Sequence, residues 1–301
     1  MVGRVNTYLI EDEPLTLVDS GPNSGKAFDE LEQGIRALGH RIEDLGLIVV
    51  THQHMDHMGL VDILARRSGA EVAALDLLAP WLAGYSERMT EEDEFAEALM
   101  RRHGISEETT MALRAVSAAF RGWGAAATVT RPLRDGEVLE LRDRALRVHH
   151  HPGHSPTDTV FHDEQRRELI GGDHLIAHIS SNPLITKMEP RALLAYMDSL
   201  RKTAEMDVEV VWAGHGEPVR DHRALIESRF RLHERRARTI LGLLGEGPLT
   251  AHEIATRLWG SIAVTQAYLT LSEVLGHLDL LAERGEVAEH DDGGVSRFAA
   301  V

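Results

Sequence analysis

The chain has 301 residues, with 32 Lys+Arg against 48 Asp+Glu for a formal charge of -16, no cysteine, and 18 histidines. Its 43% apolar and 27% charged content is of globular type and excludes global disorder, and the length suggests about two domains. The missing cysteines exclude disulfides, thiolate nucleophiles and cysteine-bound zinc, so any metal must be held by histidine and carboxylate, while the acidic balance argues against broad affinity for nucleic acid.

The first residues, MVGRVNTYLIEDEP, lack a basic segment followed by an apolar one, and no run approaches the roughly 18 consecutive apolar residues of a membrane span. We expect a cytoplasmic protein without membrane association. Asn6 to Ile10 and Leu15 to Val18 read as adjacent antiparallel strands, closed by the turn Asp19-Ser20-Gly21-Pro22. Lys26 to Leu38 has Phe28, Leu31, Ile35 and Leu38 at helical spacing, and Leu47 to Val50 is a buried strand. That strand runs into Thr51-His52-Gln53-His54-Met55-Asp56-His57, followed by a helix through Ile63 and Leu64 and a strand at Val72 to Leu75. Residues 79–124 are helical in pattern. Strands are expected at Thr128 to Thr130, Leu146 to His149, Thr159 to Phe161, Leu169 to Gly171 and Val208 to Trp212, with a helix from Pro190 to Thr203. Pro218 to Leu244 reads as one long helix carrying seven arginines and ending at Gly245-Glu246-Gly247-Pro248. Thr250 then caps a helix through Leu258, a second helix holds Leu271, Leu275, Leu278 and Leu281, and a hairpin turns at Asp291 to Gly294; this is winged-helix order.

The chemistry concentrates in the strand-ending loops. In His52-Gln53-His54 an extended backbone points both imidazoles the same way, and Asp56 and His57 follow as the chain enters a helix. His154, Asp173 and His215 occur in later loops, each beside glycine, which lets backbone approach a site closely. Imidazole and carboxylate are the ligands that zinc, iron or manganese accept without thiolate.

This order, HxHxDH and then His, Asp and His, resembles the metallo-β-lactamase superfamily over about residues 5–218. The resemblance implies an α/β fold, an αββα sandwich, with a helical insertion at about 81–124 in a catalytic domain of 1–222. A connecting helix at 223–245 and a winged-helix-like domain at 246–301 complete the expected organisation. It also implies two divalent ions, zinc first with iron or manganese as alternatives. One takes His52, His54 and His154, the other Asp56, His57 and His215, and Asp173 bridges. Antibiotic-cleaving members carry Cys or Ser at the last of these positions, so Asp173 points to the hydroxyacylglutathione hydrolase, ribonuclease Z and lactonase side. Water between two cations loses a proton near neutral pH and becomes the nucleophile, with Asp56 as its orienter or as proton carrier to the leaving group.

A thioester or ester of a small acyl substrate is the first expectation. The insertion offers Trp81, Tyr85, Met89, Phe95, Met100, Met111, Phe120 and Trp123 for an apolar acyl pocket, although helical spacing makes at least half of them packing residues. His178 is a further contact candidate. His149, His150, His151 and His174 flank the ligands in sequence, whereas His40, His103, His222, His233, His252, His277 and His290 read as surface or packing residues. The alternative is a phosphodiesterase or endoribonuclease of the lactamase-β-2-like type, whose members resemble this chain in their C-terminal helix and winged-helix-like end. Against it, Arg235 to Val301 contains six Arg and no Lys against nine acids, and Val264 to Leu278 contains no cation at all. No Tyr follows Asp173 as in signal-lactone hydrolases, and no glutathione-binding motif is recognisable. A metal-binding, non-catalytic module stays open. The expected partner is a small-molecule substrate rather than nucleic acid, and the apolar face Leu271, Leu275 and Leu278 offers a surface for a homodimer.

Overall fold

The computed structural model describes residues 3–262 and 266–301; Val264, at the start of the cation-free stretch, lies outside the described residues. β1 (Tyr8–Ile10) and β2 (Thr16–Val18) form the expected antiparallel pair. β3 (Leu47–Val50), β4 (Glu71–Leu75) and β5 (Arg131–Leu133) extend that sheet in parallel. A second sheet holds β6 (Val138–Glu140), β7 (Ala145–His150), β8 (Thr159–Asp163) and β9 (Glu168–Gly172) as antiparallel neighbours, with β10 (Val210–Ala213) parallel to β9.

The four apolar residues of β3 are all buried because a strand sends alternate side chains to opposite faces and both faces are covered. Leu47 and Val49 meet Leu146, Val148 and Phe161 of the second sheet. Ile48 and Val50 share a core with Ile35 of α1 (Gly25–Ala37) and Leu64 beyond it. Two sheets face to face, with helices outside, are thus the α/β architecture expected.

The ligand loop continues into α2 (Met55–Met58) and α3 (Val61–Ser68), and the insertion forms α4 (Ala79–Ala83), α5 (Tyr85–Arg102) and α6 (Glu107–Phe120). α7 (Ala192–Glu205) and α8 (His222–Leu244) cover the outer face of the second sheet. α9 (Ala251–Trp259) begins, as expected, at Thr250, which exchanges hydrogen bonds with Glu253 in a capping box. α10 (Ala267–Glu283) and the hairpin β11 (Val287–Asp292) and β12 (Val295–Ala300) end the chain. Leu271, Leu275 and Leu278 of α10 are buried, in one core with Val160 and Val211 of the second sheet and Ile240 of α8, so the face read as available to a second subunit is filled by this chain itself.

Two strand positions differ from expectation. The strand anticipated at Thr128 to Thr130 lies at β5, three residues later, and includes Pro132; as an edge strand paired only with β4 it tolerates the missing N–H. β6, three residues long at the edge of the second sheet, was not anticipated. No helix among the described residues is long and apolar enough to cross a membrane.

Candidate metal centre

The seven donors come from the ends of strands that converge on one edge of the sandwich. β3 delivers His52, His54, Asp56 and His57, while β7, β9 and β10 run in the same direction and release His154, Asp173 and His215 from their C-terminal ends. Gly214 makes the last approach sterically feasible: a Cβ there collides with Asp173 Oδ1 and lies 2.7 Å from His57 Cε1.

Donor atoms of His52, His54 and His154 lie within 4.8 Å of one another, as do those of Asp56, His57 and His215, and those of His52, His57 and Asp173. Asp173 lies between the first two groups. Its carboxylate is 3.3 Å from His57 Nε2, 3.5 Å from His154 Nε2 and 3.4 Å from His215 Nε2. Asp56 Oδ2 is 3.3 Å from His215 Nε2. His52 Nε2, His57 Nε2, His215 Nε2 and Asp173 Oδ1 are buried without a hydrogen-bond partner. Burying four such atoms at one point is costly unless something binds them, and a cation fits that requirement. The clusters are consistent with bound metal ions.

The outer hydrogen bonds fix which ring nitrogen faces inward. His154 Nδ1 and His215 Nδ1 donate to the carbonyls of Asn182 (3.2 Å) and Arg4 (2.9 Å). Thr51 Oγ1 donates to Asp19 (2.8 Å), so it accepts from His52 Nδ1 at 2.9 Å. His57 Nδ1 donates to Asp19 Oδ2 at 2.8 Å. In its neutral form, each of these four rings thereby keeps the lone pair on Nε2 for the site. His54 is the opposite case: its Nδ1 faces His154 Nε2 at 2.9 Å. Asp19, which supports two histidines of the 51–57 loop, reads in the sequence only as part of a turn. It is buried and has φ 58.

The charges suit metal exchange for protons. Burial works against a charge on His57, but Asp173 and Asp19 on its two sides outweigh that and hold its pKa well above the ordinary imidazole value. Burial opposes a charge on His215 too, yet the carboxylates of Asp173 and Asp56 carry it up to about 9. Burial would raise the two carboxylates, but His215 and His57 beside Asp56, and His57 and His215 beside Asp173, hold both well below the usual range. His52 and His54 are pushed down by burial and then by neighbouring imidazoles, His54 to about 3. A cation held here would take the place of the protons on His57 and His215.

A cavity of about 260 Å³ opens beside Gln53, His54 and Met55, and Trp81, Tyr85 and Met89 form part of its wall. Trp123 is not among the lining residues; it is half exposed and packs edge-on against Phe120. His178 is exposed beside the His215 loop, where a Cβ on Gly216 comes within 2.7 Å of its ring. His151 and His174 are buried and joined through Thr203 Oγ1, at 3.0 and 2.8 Å, while His150 bonds to the Pro156 carbonyl. A separate trio, His233, Glu273 and His277, meets the same distance condition as the ligand groups, but Arg236 pairs with Glu273 and already supplies its cation.

Residues 1–215 match the family model described as the metallo-beta-lactamase superfamily. The chain is 30% identical over 302 residues to the probable metallo-hydrolase YqjP of Bacillus subtilis, covering 99% of this chain and 93% of that protein. It is 24% identical over 308 residues to an atrochrysone carboxyl ACP thioesterase of Emericella nidulans, covering 98% and 80%. Among solved structures it is similar to the metallo-beta-lactamase family protein TTHA1429 of Thermus thermophilus, with a TM-score of 0.79, 29% identity and 99% and 94% coverage. With its histidines and aspartates gathered at one edge of paired mixed sheets, the chain belongs to the metallo-β-lactamase superfamily.

Proposed function

We propose that this protein is a hydrolase that holds two divalent ions, zinc before iron or manganese, and cleaves a thioester or ester of a small acyl substrate. The observation that carries the hydrolase reading is the convergence of seven donors in which four buried atoms have no hydrogen-bond partner among the described residues. His52, His54 and His154 would hold one ion and Asp56, His57 and His215 the other, with Asp173 between them. Divalent ions supply a deprotonated water near neutral pH and polarise the substrate carbonyl.

The protein's own residues do the rest. Asp19, Thr51 and the carbonyls of Asn182 and Arg4 orient the imidazoles before any ion arrives. Asp56 is ionised and its side chain is 38% exposed, which suits it to orient water and pass a proton to the leaving thiol or alcohol. The apolar cavity beside His54 favours an acyl group over a phosphodiester, and the thioesterase name of the Emericella nidulans relative supports the same choice.

We read α9, α10 and the β11–β12 hairpin as a winged-helix-like module that serves packing rather than nucleic-acid binding. Most described residues of α10 are buried against α7, α8 and α9, leaving little of it to enter a groove. The mechanism is tested by measuring metal content and acyl-thioester turnover together. Turnover should vanish with chelation and return with metal, and Asp56→Asn should lower it by about 100-fold or more. Asp56→Asn with full metal content and full turnover would remove the role given to Asp56, and turnover indifferent to chelation would remove the hydrolase reading.

A further inference from the structure

The cavity beside His54 is assembled from parts of the chain far apart in sequence. α4 and α5 contribute Trp81, Tyr85, Met89, Ala96 and Met100, α6 contributes Leu113, and Tyr268 comes from α10. It therefore lies where the insertion meets the C-terminal helices, on the side of the metal centre formed by His54.

Most of the wall's polar groups are engaged elsewhere. Asp93 pairs with Arg121 and accepts from Ser117, Arg114 pairs with Glu97, and Thr186 Oγ1 accepts from the backbone of Glu189. Tyr85 and Tyr268 donate their hydroxyls to the carbonyls of Arg121 and Ile185. Among the described residues, the buried wall atom left without a hydrogen-bond partner is the Trp81 indole N–H. Among the described residues the wall thus offers no unpaired Arg or Lys for an anionic tail, and Glu92 adds a carboxylate. At about 30 Å³ per methylene-sized group, 260 Å³ holds a chain of roughly eight to ten non-hydrogen atoms.

Resting on the hydrolase reading above, we infer that this cavity is the acyl-binding pocket, that it selects an uncharged acyl chain of about eight to ten carbons, and that Ala96 and Met89 set the length it accepts. Ala96 presents the smallest side chain on the wall and Met89 a long, adaptable one, so enlarging the first takes volume from the pocket and trimming the second adds it.

The test uses the metal-loaded full chain and p-nitrophenyl esters from acetyl to hexadecanoyl, with the monoester of suberic acid as the charged counterpart of octanoyl. The ratio of kcat/KM to that for acetyl should rise about four-fold per methylene and level off near eight to ten carbons. The suberic monoester should fall at least about ten-fold below octanoyl. Ala96→Phe should lower the octanoyl-to-acetyl ratio at least about ten-fold, and Met89→Ala should move the plateau to longer chains. A second readout needs no metal: calorimetry on the chelated protein should show octanamide binding to the wild type, weakened at least about ten-fold in Ala96→Phe. A ratio insensitive to chain length and to both variants, or octanamide binding absent from the wild type or unchanged in Ala96→Phe, overturns the pocket assignment. A chain that cleaves bis(p-nitrophenyl) phosphate but no acyl ester overturns the ester reading instead, and octanamide binding then still reports on the cavity.

Discussion

Asp19 accepts hydrogen bonds from the Thr51 backbone and hydroxyl and from His57 Nδ1, all at 2.8–2.9 Å. It therefore decides which nitrogen His57 turns to the site, and through Thr51 it does the same for His52. Asp19→Asn keeps the backbone conformation, since Asn tolerates positive φ, but removes the charge that orients His57. We expect metal affinity to fall about 10–100-fold with the far-UV circular dichroism unchanged, measured by metal titration of the chelated protein. Unchanged affinity would show that the rings are oriented without Asp19. The histidine cluster is legible in the sequence because four candidate donors sit within six positions after an apolar strand. Asp19 is not, because its partners lie 32 and 38 positions away and only the β2–β3 pairing brings them together. Trp81 and Tyr85 line the cavity while Trp123 does not, a distinction that helical spacing cannot make because all three fall in one helical block.

At the scale of elements, α10 connects the end of the chain to the rest of the molecule. Leu278 is 1% exposed and lies in the core that also holds Tyr196 of α7 and Ile240 of α8. Leu278→Ala should cost about 2–5 kcal/mol in urea unfolding, and within a single transition, because that core is shared with the second sheet. A separate early transition for the C-terminal segment would contradict such coupling. The helix and strand order was readable because helical periodicity, caps such as Thr250 and buried runs such as Leu47 to Val50 are local signals. β6 was not, since a three-residue edge strand carries too little alternation to register. β5 was displaced because Pro132 reads locally as a breaker and is accommodated only by its edge position.

Across the whole molecule, many histidines either gather at the candidate metal centre or pack in the core. His103 joins the insertion to the C-terminal hairpin by stacking on Phe298 at 5.8 Å between ring centroids, and His233 lies in the interior of α8. Burial pushes each down to about 4 from an ordinary 6.5. Between these values the unfolded chain binds protons that the folded chain refuses, so their contribution is fully present above pH 6.5 and is lost as pH falls toward 4. By calorimetry, the drop in Tm from pH 7 to pH 4.5 should be smaller for His103→Gln than for the wild type; an equal drop would show that His103 does not couple folding to pH. The measurement that bears most directly on the proposed chemistry is the ratio of kcat/KM for octanoyl thioester to that for bis(p-nitrophenyl) phosphate, taken on protein of known metal content. We expect the thioester to be strongly preferred and its turnover to rise in step with bound metal. A preference for the phosphodiester, or thioester turnover that persists in the chelated protein, would contradict the assignment of a metal-dependent acyl hydrolase.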